Sequence, residues 1–181
     1  MCDQLAVEVI SVWEGPWKRD YRFVFNLATK GVWWLMDPFA YQKGPQPFMM
    51  TNLDYLHFSA FNMKILDDLL MLNCVGASVE HPDLVPKQFN KFIKLWMRGM
   101  TPKLTYIIFF GLSFSKREPV ILKGIKYEDI SMNVTRSFRT FPGNRLCIIR
   151  GGFDVKLKDG RKATIWSGKY RNSNALILVI W

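Results

Sequence analysis

The chain has 181 residues, 49% of them hydrophobic and 22% charged, with a formal net charge of +10. That length suits one domain with a single substantial core, and the balance of apolar and charged residues excludes a disordered polar chain. No apolar run reaches the roughly 18 residues that a helical bilayer span needs, so no membrane association is expected.

The first segment lacks a basic start and carries Glu8 inside its apolar stretch, so it does not read as a secretory signal. An intracellular protein, cytoplasmic or nuclear, is expected. Cys2, Cys74 and Cys147 are widely spaced and form no C-x-x-C pair, which predicts neither a disulfide framework nor a zinc site. Glu14-Gly15-Pro16 is a turn, residues 21–27 (YRFVFNL) alternate like a strand, and residues 32–36 (VWWLM) read as another. Lys43-Gly44-Pro45-Gln46-Pro47 can only be a loop.

From residue 53 the pattern is clearer. Residues 53–58 (LDYLHF) form a strand with Leu53, Tyr55 and His57 on one face. A helix follows over 64–72, where Ile65, Leu66, Leu69 and Leu70 make the apolar stripe and Asp67 and Asp68 face out; Asn62 can cap it. A strand over 74–80 precedes the clearest helix, 86–98. There Phe89, Phe92, Ile93, Trp96 and Met97 share one stripe, Gly99 stops the helix and Pro102 prevents its resumption. Residues 104–110 (LTYIIFF) are a strand covered on both faces.

The strongest local signal is residues 151–165, GGFDVKLKDGRKATI. Phe153, Val155 and Leu157 alternate with polar residues, and Asp159-Gly160 supply a turn. A three-residue loop with Gly160 left-handed pairs Phe153 with Ile165 and Val155 with Ala163, which keeps one face apolar; the two-residue alternative would place a charge there. Gly151-Gly152 marks a turn or bulge that only glycine fits. Residues 175–181 (ALILVIW) end the chain as a buried strand after a polar turn over 171–174.

Strand starts at 53, 74 and 104 with helices between them predict an α/β fold: a short leucine-rich-repeat-like β/α sheet closed by a carboxyl-terminal antiparallel β-hairpin, in a single domain over 1–181.

Two stretches also carry a family resemblance. GGFDVKLKDGRKATI is similar to the GGFDI-x-R-x-DG-x-KATI signature of the type-2 F-box associated domain of nematode F-box proteins. LDDLLMLNC (66–74) and FNKFIKLWMRGMTPKLTYI (89–107) resemble the same family's central stretch, with Thr101 where Asn is usual before Pro102. The resemblance covers about residues 53–166. It implies a domain that holds the target protein of a cullin-RING ubiquitin ligase, in proteins whose amino-terminal F-box docks onto a Skp adaptor. Residues 1–52 read as strands and turns rather than as the helices of an F-box, so a truncated or F-box-less member is expected, with Skp and cullin binding in doubt.

Catalytic residues, cofactor ligands and metal ligands are not expected. Only His57 and His81 are present; a Cys74–His81 dyad is conceivable, but cysteine at a strand end is more often a small core residue. Asp67 and Asp68 are adjacent and cannot converge on one substrate. The expected function is a non-enzymatic protein-interaction module with an unknown target protein. Trp33, Trp34 and Trp17 are the candidates for partner contact, since aromatic side chains dominate binding hot spots. The alternative is a basic nucleic-acid-binding protein: residues 82–181 carry 19 Lys/Arg against 6 Asp/Glu. Those cations interleave with apolar strand positions, as on any solvated sheet face, so nucleic acid is the less expected partner.

Overall fold

Strand and helix alternate from residue 53 to residue 110, and the strands then lengthen. The computed structural model describes residues 7–12, 28–35, 50, 52–59, 66–80, 82, 84–112, 118–141 and 145–181. Within them lie β1 (Val7–Val12), β2 (Ala28–Leu35), β3 (Leu53–Ser59), α1 (Leu66–Leu70), β4 (Cys74–Glu80), α2 (Pro86–Met97), β5 (Tyr106–Phe110) and α3 (Glu118–Ile121). Four longer strands follow: β6 (Tyr127–Thr140), β7 (Arg145–Lys156), β8 (Lys162–Tyr170) and β9 (Ser173–Ile180). All nine described strands share one sheet in the order β1-β2-β3-β4-β5-β9-β8-β7-β6. The first five are parallel; from β5 onward every pair is antiparallel.

This corrects the expected leucine-rich-repeat-like α/β architecture: the described protein is mostly β, with helices of only 5, 12 and 4 residues. The carboxyl-terminal part is not a closing hairpin but a four-strand antiparallel half-sheet joined to β5 through β9. The physical reason lies in β6. Its sequence YEDISMNVTRSFRT is exposed along almost its whole length, so neither face carries the apolar alternation by which a strand is recognised.

Local expectations fared better. The hairpin pairs Phe153 with Ile165 and Val155 with Ala163, and Gly160 is left-handed at φ 91°. The first helix ends at Leu70, before its pattern does, and Asp68 points inward rather than out, buried beside exposed Asp67; burial first, and then the Asp67 charge, raise its pKa. The expected strand over 21–27 and the 43–47 loop lie outside the described residues.

The helices cover one face of the sheet. Pro86 starts α2 at a position whose missing N–H costs nothing, and the Gln88 side chain accepts from the Val85 N–H at 2.9 Å. The α2 stripe of Phe89, Phe92, Ile93 and Trp96 packs into a core with Leu56, Phe58, Ala77, Val79, Ile107 and Phe109. Phe89 and Phe92 both meet Phe109 edge to face, and the Trp96 indole donates to the Leu104 carbonyl at 3.1 Å.

Candidate functional site

The opposite face of the sheet carries a second, smaller core: Tyr55, Tyr106, Ile108, Ala175, Ile177 and Val179 together with Cys147 and Ile149. Cys147 and Ile149 belong to β7, whereas Tyr55 and Tyr106 belong to β3 and β5. In the sheet order β7 lies three strands from β5 and five from β3. At about 4.8 Å per strand these separations are roughly 14 and 24 Å, too far for side-chain contact within a continuous sheet. The distal half of the β6–β7 hairpin therefore folds back across the sheet face. Its inward residues meet the sheet directly: Phe141 lies 5.9 Å from the Tyr55 ring, Phe138 lies 5.6 Å from Tyr106, and the Phe141 N–H donates to the Tyr106 hydroxyl at 2.8 Å.

Gly151 and Gly152 make the fold-back. Their φ values are 67° and 110°, the ladder to β6 shifts register between Ile130 and Thr135, and a Cβ on Gly151 would stand 2.9 Å from the Ile130 carbonyl oxygen. Beside the bend the Trp166 indole donates to the Arg150 carbonyl at 3.0 Å.

A polar cluster fastens the bend. Arg136 on β6 grips both carboxylate oxygens of Asp154 and donates to the Thr164 hydroxyl; the Trp181 indole donates to the same hydroxyl at 2.8 Å. The Arg136 guanidinium also lies over the Trp181 ring, 5.7 Å from its centre. Asp154 has only 2% of its side chain exposed. Burial pushes its pKa up, but hydrogen bonds from Arg136 and Thr164 and the charges of Arg136 and Lys162 outweigh that effect, and the carboxyl ionises below its ordinary range. The hairpin motif thus has a structural meaning: its two glycines bend the chain, and its aspartate and threonine hold the bend.

Between the folded-back tip and the ends of β3, β4 and β5 lies a cleft of ≈ 260 Å³. Tyr55 and Ser78 form its floor, joined by a hydrogen bond from the Tyr55 hydroxyl to Ser78 Oγ at 2.7 Å. Burial pushes Tyr55 up to about 12, against the Ser78 hydrogen bond and the nearby Arg171 charge, so it stays a phenol. His57 and Glu80 line one wall, 3.6 Å apart, and Arg145 and Arg171 another. Arg171 stacks on the Tyr170 ring, 5.2 Å from its centre.

Gly76 keeps the floor in place. It pairs with Tyr106, and a Cβ there would fall 2.1 Å from the Tyr106 ring. Gly76→Ala is expected to displace that ring, release the Phe141 N–H and destabilise the fold by about 1–3 kcal/mol in a urea titration. An unchanged midpoint would show that Tyr106 does not lie across β4.

Trp33 and Trp34 fall in β2, where Ser11 pairs with Trp33; their side chains, like all of Trp17, lie outside the described residues. The cleft brings together residues that sequence reasoning did not single out, Arg145 and Arg171 above all. One signal was present: residues 130–153 contain four arginines and no acidic residue. Cys74 is 1% exposed and its thiol is pushed up to about 12 by burial; Cys147 is likewise pushed up to about 11. His81 lies outside the described residues. Among the described residues, no group of three or more His, Cys, Asp or Glu could hold a metal, and no helix is long and apolar enough to cross a membrane.

The described residues thus form a mixed sheet with one helix-covered face, one face roofed by its own hairpin and a small polar cleft. Residues 44–109 match the family model described as F-box associated. The F-box associated domain-containing protein sdz-33 of Caenorhabditis elegans is 25% identical over 135 residues, covering 72% of this chain. The chain is thus similar to the F-box associated family over its central stretch. It spans 40% of the length of that relative. The family match takes in the 66–107 stretch and ends before the glycine-bend hairpin. No solved structure matches the chain.

Proposed function

We propose that this chain is a non-enzymatic protein-interaction module that holds a target protein, with the cleft under the folded-back hairpin as its contact point. Similarity to the F-box associated family over residues 44–109 supports a protein-interaction role at the level of the family. The observation that carries the reading here is the cleft itself. Its ≈ 260 Å³ is below the roughly 300–1,000 Å³ of cavities that engulf a small-molecule substrate, and suits one or two side chains of a larger partner. Tyr55, pushed up to about 12 by burial, enters such a contact as a neutral phenol.

The basic residues of the second half do not gather into one track. Lys87 and Lys91 lie exposed on α2 and Arg98 just past its end, on one side of the sheet, and Arg139 and Arg150 lie exposed on the hairpin, on the other. A polyanion groove would need them aligned.

Proximity labelling in cells expressing the chain tests the proposal. A reproducible protein partner, competed by excess unlabelled chain, is the expected result; no partner above background overturns it. Delivery of that partner to a ubiquitin ligase is the finer form of the same proposal. Co-purification with a Skp adaptor supports it, and failure to co-purify removes the ligase while leaving the interaction.

A further inference from the structure

The turn between β8 and β9 is two residues long, with Tyr170 paired to Ser173 across it. Arg171 and Asn172 both have positive φ, 49° and 64°. Such a turn demands left-handed backbone at both central positions and is ordinarily built from Asn-Gly or Asp-Gly. Asn172 suits its place. Arg171 does not, since a long side chain in left-handed backbone is strained. Strain of this kind persists where the side chain has work that a better turn residue could not do.

The surroundings of Arg171 identify that work. Its guanidinium is stacked on Tyr170, which itself stacks on Phe110 at 6.0 Å, so its planar fork is oriented before any ligand arrives. It lines the cleft together with Arg145, and its charge reaches Tyr55 on the cleft floor. Arg145 is one of the four arginines of residues 130–153, a stretch with no lysine and no acid. Within the cleft the acid present, Glu80, stands by His57. Arginine is the cation that interfaces favour, because its fork takes a carboxylate with two parallel hydrogen bonds.

We infer that the cleft receives an acidic side chain, aspartate or glutamate, of the target protein, with Arg171 as the clamp and Arg145 beside it; this rests on the interaction reading above. The floor suits the same guest: the Ser78 hydroxyl, which accepts from Tyr55, has its own proton to donate to a carboxylate oxygen, and Phe141 lines the cleft beside the aliphatic stem.

The test uses Arg171→Asn, which places a residue favoured by the turn at its first position. The probe is a fluorescein-labelled library of short peptides with aspartate or glutamate fixed at each position in turn, and a matched library carrying asparagine or glutamine there. The wild-type chain is expected to bind the acidic library at least tenfold more tightly. Arg171→Asn is expected to lose that preference while its melting temperature rises, because backbone strain is relieved. A purely structural Arg171 would give the opposite pair, a lower melting temperature with unchanged peptide preference. Equal binding of both libraries by the wild-type chain, or an intact preference in Arg171→Asn, overturns the inference. Proximity labelling with Arg171→Asn separates it from the broader reading: partners retained alongside a failed peptide test leave an interaction module whose contact is elsewhere, and no partner for either chain removes both.

Discussion

Asp154→Ala is expected to destabilise the protein by about 3–5 kcal/mol, because it removes the counter-charge from a partly buried arginine. Asp154 is the hub of the fastening cluster: it accepts from Arg136 twice and from Thr164 once, and Lys162 approaches to 3.6 Å. Without it the Arg136 guanidinium, 24% exposed and packed over Trp181, keeps its charge and loses its carboxylate. Guanidinium denaturation measures the loss. The double variant Arg136→Met/Asp154→Leu is expected to recover part of it, since an apolar pair avoids the unpaired charge.

The sign of the pH dependence follows from the same group. The pKa of Asp154 is lower in the folded state than in the unfolded chain, so its contribution is fully present above the unfolded value, about 3.9, and is lost as pH falls through the folded value. The stability difference between wild type and Asp154→Asn should therefore be constant above pH ~5 and shrink as pH falls below ~4. A difference independent of pH would mean that Asp154 is not ionised in the cluster.

Gly152→Ala is the second large effect, expected at about 3 kcal/mol from backbone strain and crowding together. At φ 110° a side chain is excluded from comfortable backbone, and its Cβ would stand 3.0 Å from both the Ile165 carbonyl oxygen and the Thr164 methyl. Neither neighbour can yield easily, since both belong to β8 and the first is backbone. Because Gly152 sits at the bend, the variant is also expected to release the distal hairpin, seen as loss of amide protection over residues 138–141 and 145–149. A variant that is destabilised but retains that protection would separate the strain from the fold-back.

The sequence disclosed those parts of the fold that bury a periodic face. The α2 stripe, the β3 to β5 strands and the register at Asp159-Gly160 all follow from apolar residues recurring at the spacing of their element. The architecture did not follow, for two reasons. β6 is an edge strand with little to bury, and edge strands lack the one-sided pattern that marks a strand. The return of β9 to β5 is a long-range pairing between two apolar runs, Tyr106–Phe110 and Ser173–Ile180, and nothing local in either run names the other. The cleft was hidden for the same reason: Tyr55, Ser78, Arg145 and Arg171 come from separate strands and turns, and the fold-back is what brings Arg145 of β7 to the others. Besides the arginines of residues 130–153, its legible mark was Arg171-Asn172 between two strands, a turn whose first residue is wrong for the turn alone.

The fold-back is what gathers both the second core and the cleft, and NMR distance restraints test it most directly. Nuclear Overhauser cross-peaks are predicted between the aromatic protons of Tyr55 and Phe141 and between those of Tyr106 and Phe138, whose ring centres lie 5.9 and 5.6 Å apart. Their absence, with Phe138 and Phe141 at solvent-exposed shifts, would mean that the hairpin extends away from the sheet and that no such cleft forms.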